Sequence, residues 1–196
     1  MINITLPDGS VRAYESGTNA HQIALSISEG LARNVLAAVV NGEIWDAARA
    51  IENDATLRLL TWNDNEGKST FWHSSAHLMA EALEALYPDV KLGIGPAIET
   101  GFYYDVDFGV VAFSENDLQK LEQQFLTFAR QKFEFKMRDS SKADALAFYK
   151  NENNPFKVEL IENLEDGTIT FCDHSDFTDL CRGGHLPKTG FIKAIK

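Results

Sequence analysis

Residues 2–16, INITLPDGSVRAYES, have the pattern of a β-hairpin. Apolar and polar side chains alternate over residues 2–6, which is typical of a strand with one buried face. The PDG turn at residues 7–9 combines a proline, which fixes φ, with a glycine, which accepts positive φ. Residues 11–16 then form the returning strand in this prediction.

The residues that follow predict a small sheet with one helix across it. Asn19, with a glutamine three residues later, is suited to cap a short helix. VLAAVV (35–40) and ATLRLLTW (55–62) are apolar runs of strand length around an NGEIWD turn. The order strand, strand, helix, strand, strand predicts an α+β unit, a small ubiquitin-like β-grasp domain at residues 1–62.

A polar stretch that contains glycine, WNDNEGKST (62–70), marks the boundary to a second domain at residues 63–196. Its first helix is predicted to have Ser69 or Thr70 as its cap. Further helices are predicted at residues 115–131 and 142–151.

Segments rich in β-branched and aromatic residues predict the strands of the second domain. These strands are FYYDVDF (102–108), KFEFKM (132–137), FKVELI (156–161) and TITFC (168–172). Asp166-Gly167 is predicted to join the last two strands as a hairpin. The second domain is therefore expected to be a larger α+β domain with an antiparallel sheet and helices.

Composition and charge limit the kinds of partner. No apolar run approaches the roughly 20 residues needed to cross a bilayer, and no signal peptide is recognisable, so we expect a cytoplasmic protein with no membrane partner. The net charge of −11 opposes non-specific binding to nucleic acid, so any contact with RNA must be local. Cys172 and Cys181 are expected to be thiols.

Two pairs of residues could carry chemistry. His73 and His77 lie four residues apart on one face of the first predicted helix of the second domain. Cys181 and His185 are also four apart, in DLCRGGH (179–185), where two glycines predict a tight loop. The four side chains suit tetrahedral Zn²⁺, and three of them with a bound water would suit a catalytic zinc. The spacing alone also fits surface or structural histidines.

Three segments together resemble a known family. They are TFWHSSAHLMAEAL (70–83), KLGIGPAIETGFYYD (91–105) and DLCRGGH (179–185), and they resemble the editing domain shared by threonyl-tRNA synthetases and, in related form, alanyl-tRNA synthetases. The PDG hairpin module before them resembles the TGS domain, and this order points to a bacterial threonyl enzyme. The family usually has proline where this chain has Gly184.

The resemblance implies an editing pocket and names its residues. The implied catalytic residues are His73, Lys157, Asp179 and Cys181. The implied substrate-binding residues are His77, His185, Gly95 and Tyr104. The resemblance implies that this site works without metal in the threonyl family, whereas alanyl relatives bind zinc with the same pattern. Any metal would be held by His73, His77, Cys181 and His185.

We expect His73 to orient or deprotonate the water and Lys157 to supply charge to the carbonyl or ribose oxygen. Asp179 would hold the serine ammonium or a second water. On the residues alone, Lys157 lies in a predicted strand and is better suited to a solvated position, and Asp179 is equally suited to cap a turn. Tyr104 could stack on the terminal adenine or belong to the core.

The implied reaction is hydrolysis of serine from mischarged Ser-tRNA(Thr). A synthetic site for threonine discriminates against serine by one methyl group only, about 10- to 200-fold, so a second, hydrolytic site is needed. The partner would be the acceptor end of tRNA(Thr) carrying serine. The parent enzyme would ligate threonine to tRNA(Thr) as a homodimer, and ATP and Zn²⁺ would serve only its missing synthetic domain.

Two other functions fit parts of the sequence. One is a non-catalytic tRNA-binding or regulatory module, since the first domain has no evident nucleophile. The other is a free-standing, zinc-dependent deacylase of the alanyl type, against which the TGS-like start argues.

Overall fold

The computed structural model describes residues 1–195, so Lys196, at the end of the predicted second domain, lies outside the described residues. The chain forms two compact units. The N-terminal unit comprises Met1–Phe71 and Gly183–Pro187, and the C-terminal unit comprises Trp72–Arg182 and the residues from Lys188 onward. The predicted domain boundary between residues 62 and 63 stays a prediction.

The N-terminal unit is a five-stranded sheet with two short helices. Its elements are β1 (Ile2–Thr5), β2 (Val11–Tyr14), α1 (Ala20–Ile27), α2 (Glu29–Ala32), β3 (Ala37–Val40), β4 (Glu43–Asp46) and β5 (Ala55–Leu60). The strand order is β2-β1-β5-β3-β4. Only the β1–β5 pair of this sheet is parallel among the described strands. Ile4, Ile23 and Leu57 are buried in its core.

The sequence predicted the start of this unit well and missed one strand. Asn19 caps α1 in a capping box with Gln22, as predicted. The NGEIWD segment, predicted as a turn, contains β4, which pairs with β3. The turn is confined to Asn41 and Gly42, both at positive φ (51° and 90°), because an Asn-Gly pair suits a two-residue hairpin connection.

Over its described residues, the C-terminal unit combines helices with three small antiparallel sheets. Its elements are α3 (Asn65–Leu86, whose first residues belong to the N-terminal unit), β6 (Lys91–Leu92), β7 (Ala97–Ile98), β8 (Gly101–Phe102), β9 (Val106–Asp107), α4 (Glu115–Gln131), β10 (Lys136–Asp139), α5 (Lys142–Asn151), α6 (Pro155–Glu162), β11 (Thr170–His174) and β12 (Phe177–Leu180), followed by a 3₁₀ turn (Thr189–Phe191). The sheets are β10-β11-β12, β6-β9 and β7-β8. The α+β class is confirmed.

The predicted strand FKVELI is wrong, because these residues form α6. Asn154 accepts the backbone N–H of Lys157 at 3.1 Å and Pro155 occupies the first turn, so the Asn-Pro pair starts a helix. The Asp166-Gly167 turn therefore leads from α6 to β11 instead of joining two strands. The hairpin that contains β11 is formed with the strand that follows it, β12.

The predicted helices 115–131 and 142–151 are confirmed as α4 and α5. The first helix of the second domain begins earlier than predicted, at Asn65, so Ser69 and Thr70 lie inside it. Gly67 permits this start because a Cβ at this position would clash with the backbone of Thr61. None of the helices in the described residues is long and apolar enough to span a membrane.

We predict that Gly67→Ala destabilises the protein, although alanine usually favours helix over glycine. A Cβ at Gly67 would lie 2.9 Å from the carbonyl carbon of Thr61, and such overpacking costs about 1–3 kcal/mol. Urea denaturation measures the change in the free energy of unfolding. Gly30→Ala in α2 is the matched control, because the nearest atom to its Cβ is 4.0 Å away. Equal effects of the two substitutions would contradict the steric explanation.

Candidate active site

Helix α3 brings two imidazoles to one thiol. His73 and His77 lie one turn apart, and their ring centroids are 4.7 Å apart. The Nε2 atoms of His73 and His77 lie 3.0 and 3.3 Å from Sγ of Cys181. His73, His77 and Cys181, which are all predicted metal ligands, therefore form one cluster.

The position of Cys181 is fixed by its neighbouring strand. Cys181 directly follows β12, and its backbone N–H donates to the carbonyl oxygen of Thr170 at 3.0 Å. The Thr170 hydroxyl donates to the carbonyl oxygen of Cys181. After Arg182 the chain turns through Gly183 and Gly184, at φ 96° and 83°, so the predicted tight loop is confirmed. Proline cannot adopt the φ of Gly184.

Asp179, on β12, is a buried carboxylate that gathers the polar groups of the site. Its Oδ1 accepts hydrogen bonds from Nζ of Lys157 (2.6 Å), the hydroxyl of Tyr149 (3.2 Å) and the backbone N–H of Leu180 (2.8 Å). Asp179 and Lys157 are each 3% exposed, so this ion pair is shielded from water.

The other carboxylate oxygen of Asp179 faces two predicted substrate-binding residues. The Tyr104 hydroxyl donates to Oδ2 at 2.6 Å, and Nδ1 of His77 lies 3.1 Å from the same oxygen. His77 therefore contacts Asp179 with one ring nitrogen and Cys181 with the other. This arrangement fixes the orientation of the imidazole.

The charges of the cluster depend on one another. Burial alone would raise the pKa of Asp179, but the Lys157 charge and the hydrogen bond from His77 hold it well below its usual range. Burial alone would lower the pKa of His77, but the Cys181 sulfur and the Asp179 carboxylate raise it above its ordinary value. Asp179 is therefore ionised at neutral pH. Its contribution to stability is present above about pH 4 and is lost as the pH falls.

Lys157 is not a solvated lysine, contrary to what its residue type and predicted strand favoured. It lies in the first turn of α6, whose N-cap is Asn154, and its side chain is buried against Asp179. Asn154 is itself fixed, because its Nδ2 donates to the carbonyl oxygen of Leu92 at 2.9 Å. The cap thereby sets the position of the lysine.

Gly95 has a steric role beside Tyr104. A Cβ at Gly95 would lie 3.0 Å from Cγ of Tyr104 and closer still to its ring edge, so only glycine leaves room for the ring. Burial and the Asp179 charge raise the pKa of Tyr104 well above its usual value, and its hydroxyl remains a proton donor. The predicted contacts of both residues with substrate stay predictions.

These groups line one cavity of about 340 Å³ within the C-terminal unit. Its polar wall includes His73, His77, Lys157, Asp179 and Cys181. Its apolar wall includes Ile94, Pro96, Leu160, Leu164 and Ile169. A small cavity with convergent polar groups and shifted pKa values is typical of an active site.

The ligand atoms of His73, His77 and Cys181 also fit zinc, because they lie within 4.8 Å of one another. Two nitrogens and a thiolate around tetrahedral Zn²⁺ would place nitrogen and sulfur about 3.5 Å apart, close to the observed separations. The contact of His77 with Asp179 resembles the carboxylate support of zinc-bound histidines. A zinc ion held by these residues would polarise an ester carbonyl and acidify a bound water.

His185, the fourth residue of the predicted set, belongs to the segment Gly183–Pro187 of the N-terminal unit. Its ring is buried, and Nδ1 lies 3.4 Å from Oδ1 of Asp46 on β4. Its backbone N–H donates to the same carboxylate. Its predicted role in binding substrate or metal stays a prediction.

Comparisons with known proteins agree with the resemblance found in the sequence. The family model of the TGS domain matches residues 2–61, and the model described as the threonyl and alanyl tRNA synthetase second additional domain matches residues 169–196. Residues 2–61 form a TGS domain. The second match contains Asp179 and Cys181.

The whole chain is 65% identical to a threonine-tRNA ligase from Cytophaga hutchinsonii and 58% identical to one from Flavobacterium johnsoniae. The chain spans 30% of the length of each of these relatives. The resemblance to bacterial threonyl-tRNA synthetases, with a TGS domain before an editing-type domain, is confirmed.

Reasoning from the sequence missed two residues that organise the site. Tyr149 contacts Asp179 from α5, and Thr170 holds Cys181 from β11. Neither belongs to a recognisable motif, and each acts on a residue distant in sequence. The Asn-Pro pair at residues 154–155 was the available signal for α6, because proline is common in the first turn of a helix.

We predict that Gly95→Ala displaces the Tyr104 ring, breaks its hydrogen bond to Asp179 and lowers the free energy of unfolding by about 1–3 kcal/mol. The measurement is urea denaturation of both Gly95 forms in two backgrounds, wild type and Tyr104→Ala. Without the ring the added methyl group has no clash, so the loss should shrink in the second background. An undiminished loss there would contradict the proposed contact.

Lys157→Met should destabilise the protein by about 3–5 kcal/mol, because it leaves the Asp179 carboxylate buried without its cation. Lys150→Met is the matched control, since Lys150 is exposed near the end of α5 and surface changes usually stay within about 0.5 kcal/mol. Thermal and urea unfolding of both variants measure the difference. A cost for Lys157→Met no larger than the control would refute the importance of the ion pair.

Proposed function

We propose that this chain is the editing part of a threonyl-tRNA synthetase and hydrolyses serine from mischarged Ser-tRNA(Thr). The observation that carries the proposal is the cavity in which the His73, His77 and Cys181 cluster faces the Lys157–Asp179 pair. Hydrolysis of an ester needs a base that activates water and a cationic group or donor near the carbonyl oxygen, and the lining of this cavity contains imidazoles and an ammonium group for these two roles.

The size of the cavity supports a sieve for a small amino acid. A volume of about 340 Å³ lies at the lower end of ligand pockets, so the aminoacyl group at the end of the tRNA is a suitable occupant. Serine differs from threonine by one methyl group, which the synthetic site of a threonyl enzyme cannot use to exclude serine. A site that excludes the larger amino acid by steric overlap supplies the missing discrimination.

His73 is the imidazole we assign to the water. It is less buried than His77 and lines the cavity, whereas both ring nitrogens of His77 already contact Asp179 and Cys181. In this mechanism His73 takes a proton from the water as its oxygen attacks the ester carbonyl carbon. The bond from that carbon to the ribose oxygen then breaks, and the ribose oxygen takes up the proton that His73 accepted from the water.

Lys157 supplies the positive charge in this mechanism. Its ammonium group has three protons and one of them is directed to Asp179, so a second is available to the carbonyl or ribose oxygen of the substrate. Asp179 holds Lys157 and His77 in place. Because its oxygens already accept several hydrogen bonds, we assign Asp179 a positioning role in preference to binding the serine ammonium.

The remaining site residues shape the cavity in this proposal. Cys181 anchors both imidazoles, and Tyr104, seated against Gly95, closes the wall beside the carboxylate. His185 completes the set of substrate-binding residues implied by the family resemblance.

The test is release of amino acid from Ser-tRNA(Thr) and Thr-tRNA(Thr) by the purified chain. We predict release of serine but not of threonine. His73→Ala should slow serine release by about 10²- to 10⁴-fold, the usual contribution of a general base. His21→Ala is the matched control, because His21 lies on α1 outside the cavity. Retention of full activity by His73→Ala would contradict the assignment of the base.

The same assay separates the alternative functions. Binding of tRNA without release of either amino acid would overturn the proposed hydrolysis and favour a tRNA-binding or regulatory module. Loss of serine release on chelation, restored by Zn²⁺ alone, would show that the His and Cys cluster works with metal, as in the alanyl type. Unchanged release in chelator would support hydrolysis without metal.

For a longer parent protein, the proposed ligation rests on the threonine-tRNA ligase relatives, and the other proposed properties rest on the family resemblance. The parent enzyme would ligate threonine to tRNA(Thr) with ATP, with Zn²⁺ in the synthetic domain and as a homodimer. Its location would be the cytoplasm.

A further inference from the structure

A buried tyrosine outside the cavity contacts the residue that organises it. Tyr149 lies on α5, is 4% exposed, and is absent from the cavity lining among the described residues. Its hydroxyl donates to Oδ1 of Asp179 at 3.2 Å and accepts the backbone N–H of Leu180 at 2.7 Å. Both the donor and an acceptor site of the hydroxyl are therefore in use.

The hydrogen bond to Leu180 covers the open edge of a strand. Directly after β12, the N–H of Cys181 points to β11, where it donates to the carbonyl oxygen of Thr170. Successive N–H groups of a strand point in opposite directions, so the N–H of Leu180 points away from β11, to the edge of the sheet. The Tyr149 hydroxyl shares this N–H with Oδ1 of Asp179 and occupies the position of a neighbouring strand at this edge, between Asp179 and Cys181.

Aromatic packing and a backbone hydrogen bond connect Tyr149 to the rest of the site. Its ring packs at centroid distances of 4.9 Å from Phe148 and 5.8 Å from Phe171. The backbone carbonyl oxygen of Tyr149 accepts a hydrogen bond from the N–H of Asn154 at 3.0 Å. Asn154 in turn caps α6, the helix that carries Lys157. The connection between α5 and α6 therefore places both Tyr149 and Lys157 within hydrogen-bond distance of Oδ1 of Asp179.

We propose that Tyr149 is a positioning residue for the editing reaction, one that holds Asp179 and the exit of β12 toward Cys181 from outside the cavity. This inference rests on the proposed function. Phenylalanine would fill the same core volume, so the role belongs to the hydroxyl. A buried tyrosine hydroxyl needs partners, and here both partners belong to the strand that carries the site.

The decisive variant is Tyr149→Phe, tested in the deacylation assay with Ser-tRNA(Thr). We expect kcat to fall about tenfold or more, the effect of losing a hydrogen bond to a charged group, with KM changed less than about twofold. Phe148→Leu is the matched control, because Phe148 packs against the same ring without contacting Asp179, and its kcat should stay within about twofold. Unchanged kcat in Tyr149→Phe, or an equal fall in the control, overturns the inference.

A second measurement tests whether Tyr149 acts through Asp179. Residues in contact show non-additive effects, so Tyr149→Phe should lower the melting temperature less in the Asp179→Asn background than in the wild type. Equal decreases in both backgrounds overturn the inference even if kcat falls. An inactive wild-type chain overturns the proposed function itself, whereas an active wild type with an unaffected Tyr149→Phe variant overturns only the role of Tyr149.

Discussion

Burial removes the Asp179 carboxylate from water, so other groups of the C-terminal unit must compensate for its charge. Transfer of an unpaired charge into a protein interior is costly, and only opposite charge together with several hydrogen bonds compensates for it. The carboxylate oxygens of Asp179 contact one lysine, one histidine, two tyrosines and a backbone amide. These groups come from α3, α5, α6 and β12 and from the segment that follows β8. One carboxylate therefore connects the elements that form the cavity.

The two histidines of the cluster differ in their contacts and in their burial. His77 has one ring nitrogen at Asp179 and the other at Cys181, and its raised pKa follows from those two neighbours once the opposing effect of burial is overcome. Both ring nitrogens of His77 therefore face protein groups, and neither is left to contact an attacking water. His73, on the next turn toward the helix start, shares the thiol but is less buried. In the mechanism proposed above, the proton transfer from water is therefore assigned to His73.

The sequence correctly predicted local features that depend on a single short-range signal. The Asn19 capping box, α4, α5 and the glycine loop after Cys181 followed from short-range rules. The prediction failed at α6, where β-branched and aromatic residues suggested a strand but Asn154-Pro155 started a helix. The contacts of Lys157 and Tyr149 with Asp179 span 22 and 30 residues, and no local pattern encodes them. Only the family resemblance pointed to Lys157, and nothing pointed to Tyr149.

Tyrosine supplies two of the five groups that the described part of the chain places around Asp179, and there is an electrostatic reason for this. Lys157 already balances the charge of the carboxylate, and a second buried cation would leave the cluster with an excess positive charge away from water. A phenol donates a hydrogen bond without adding charge. Burial and the nearby carboxylate raise the pKa values of Tyr104 and Tyr149, so neither phenol ionises beside Asp179 at neutral pH. Neutral donors can therefore fix the carboxylate while leaving the ammonium of Lys157 as the positive charge at the cavity wall.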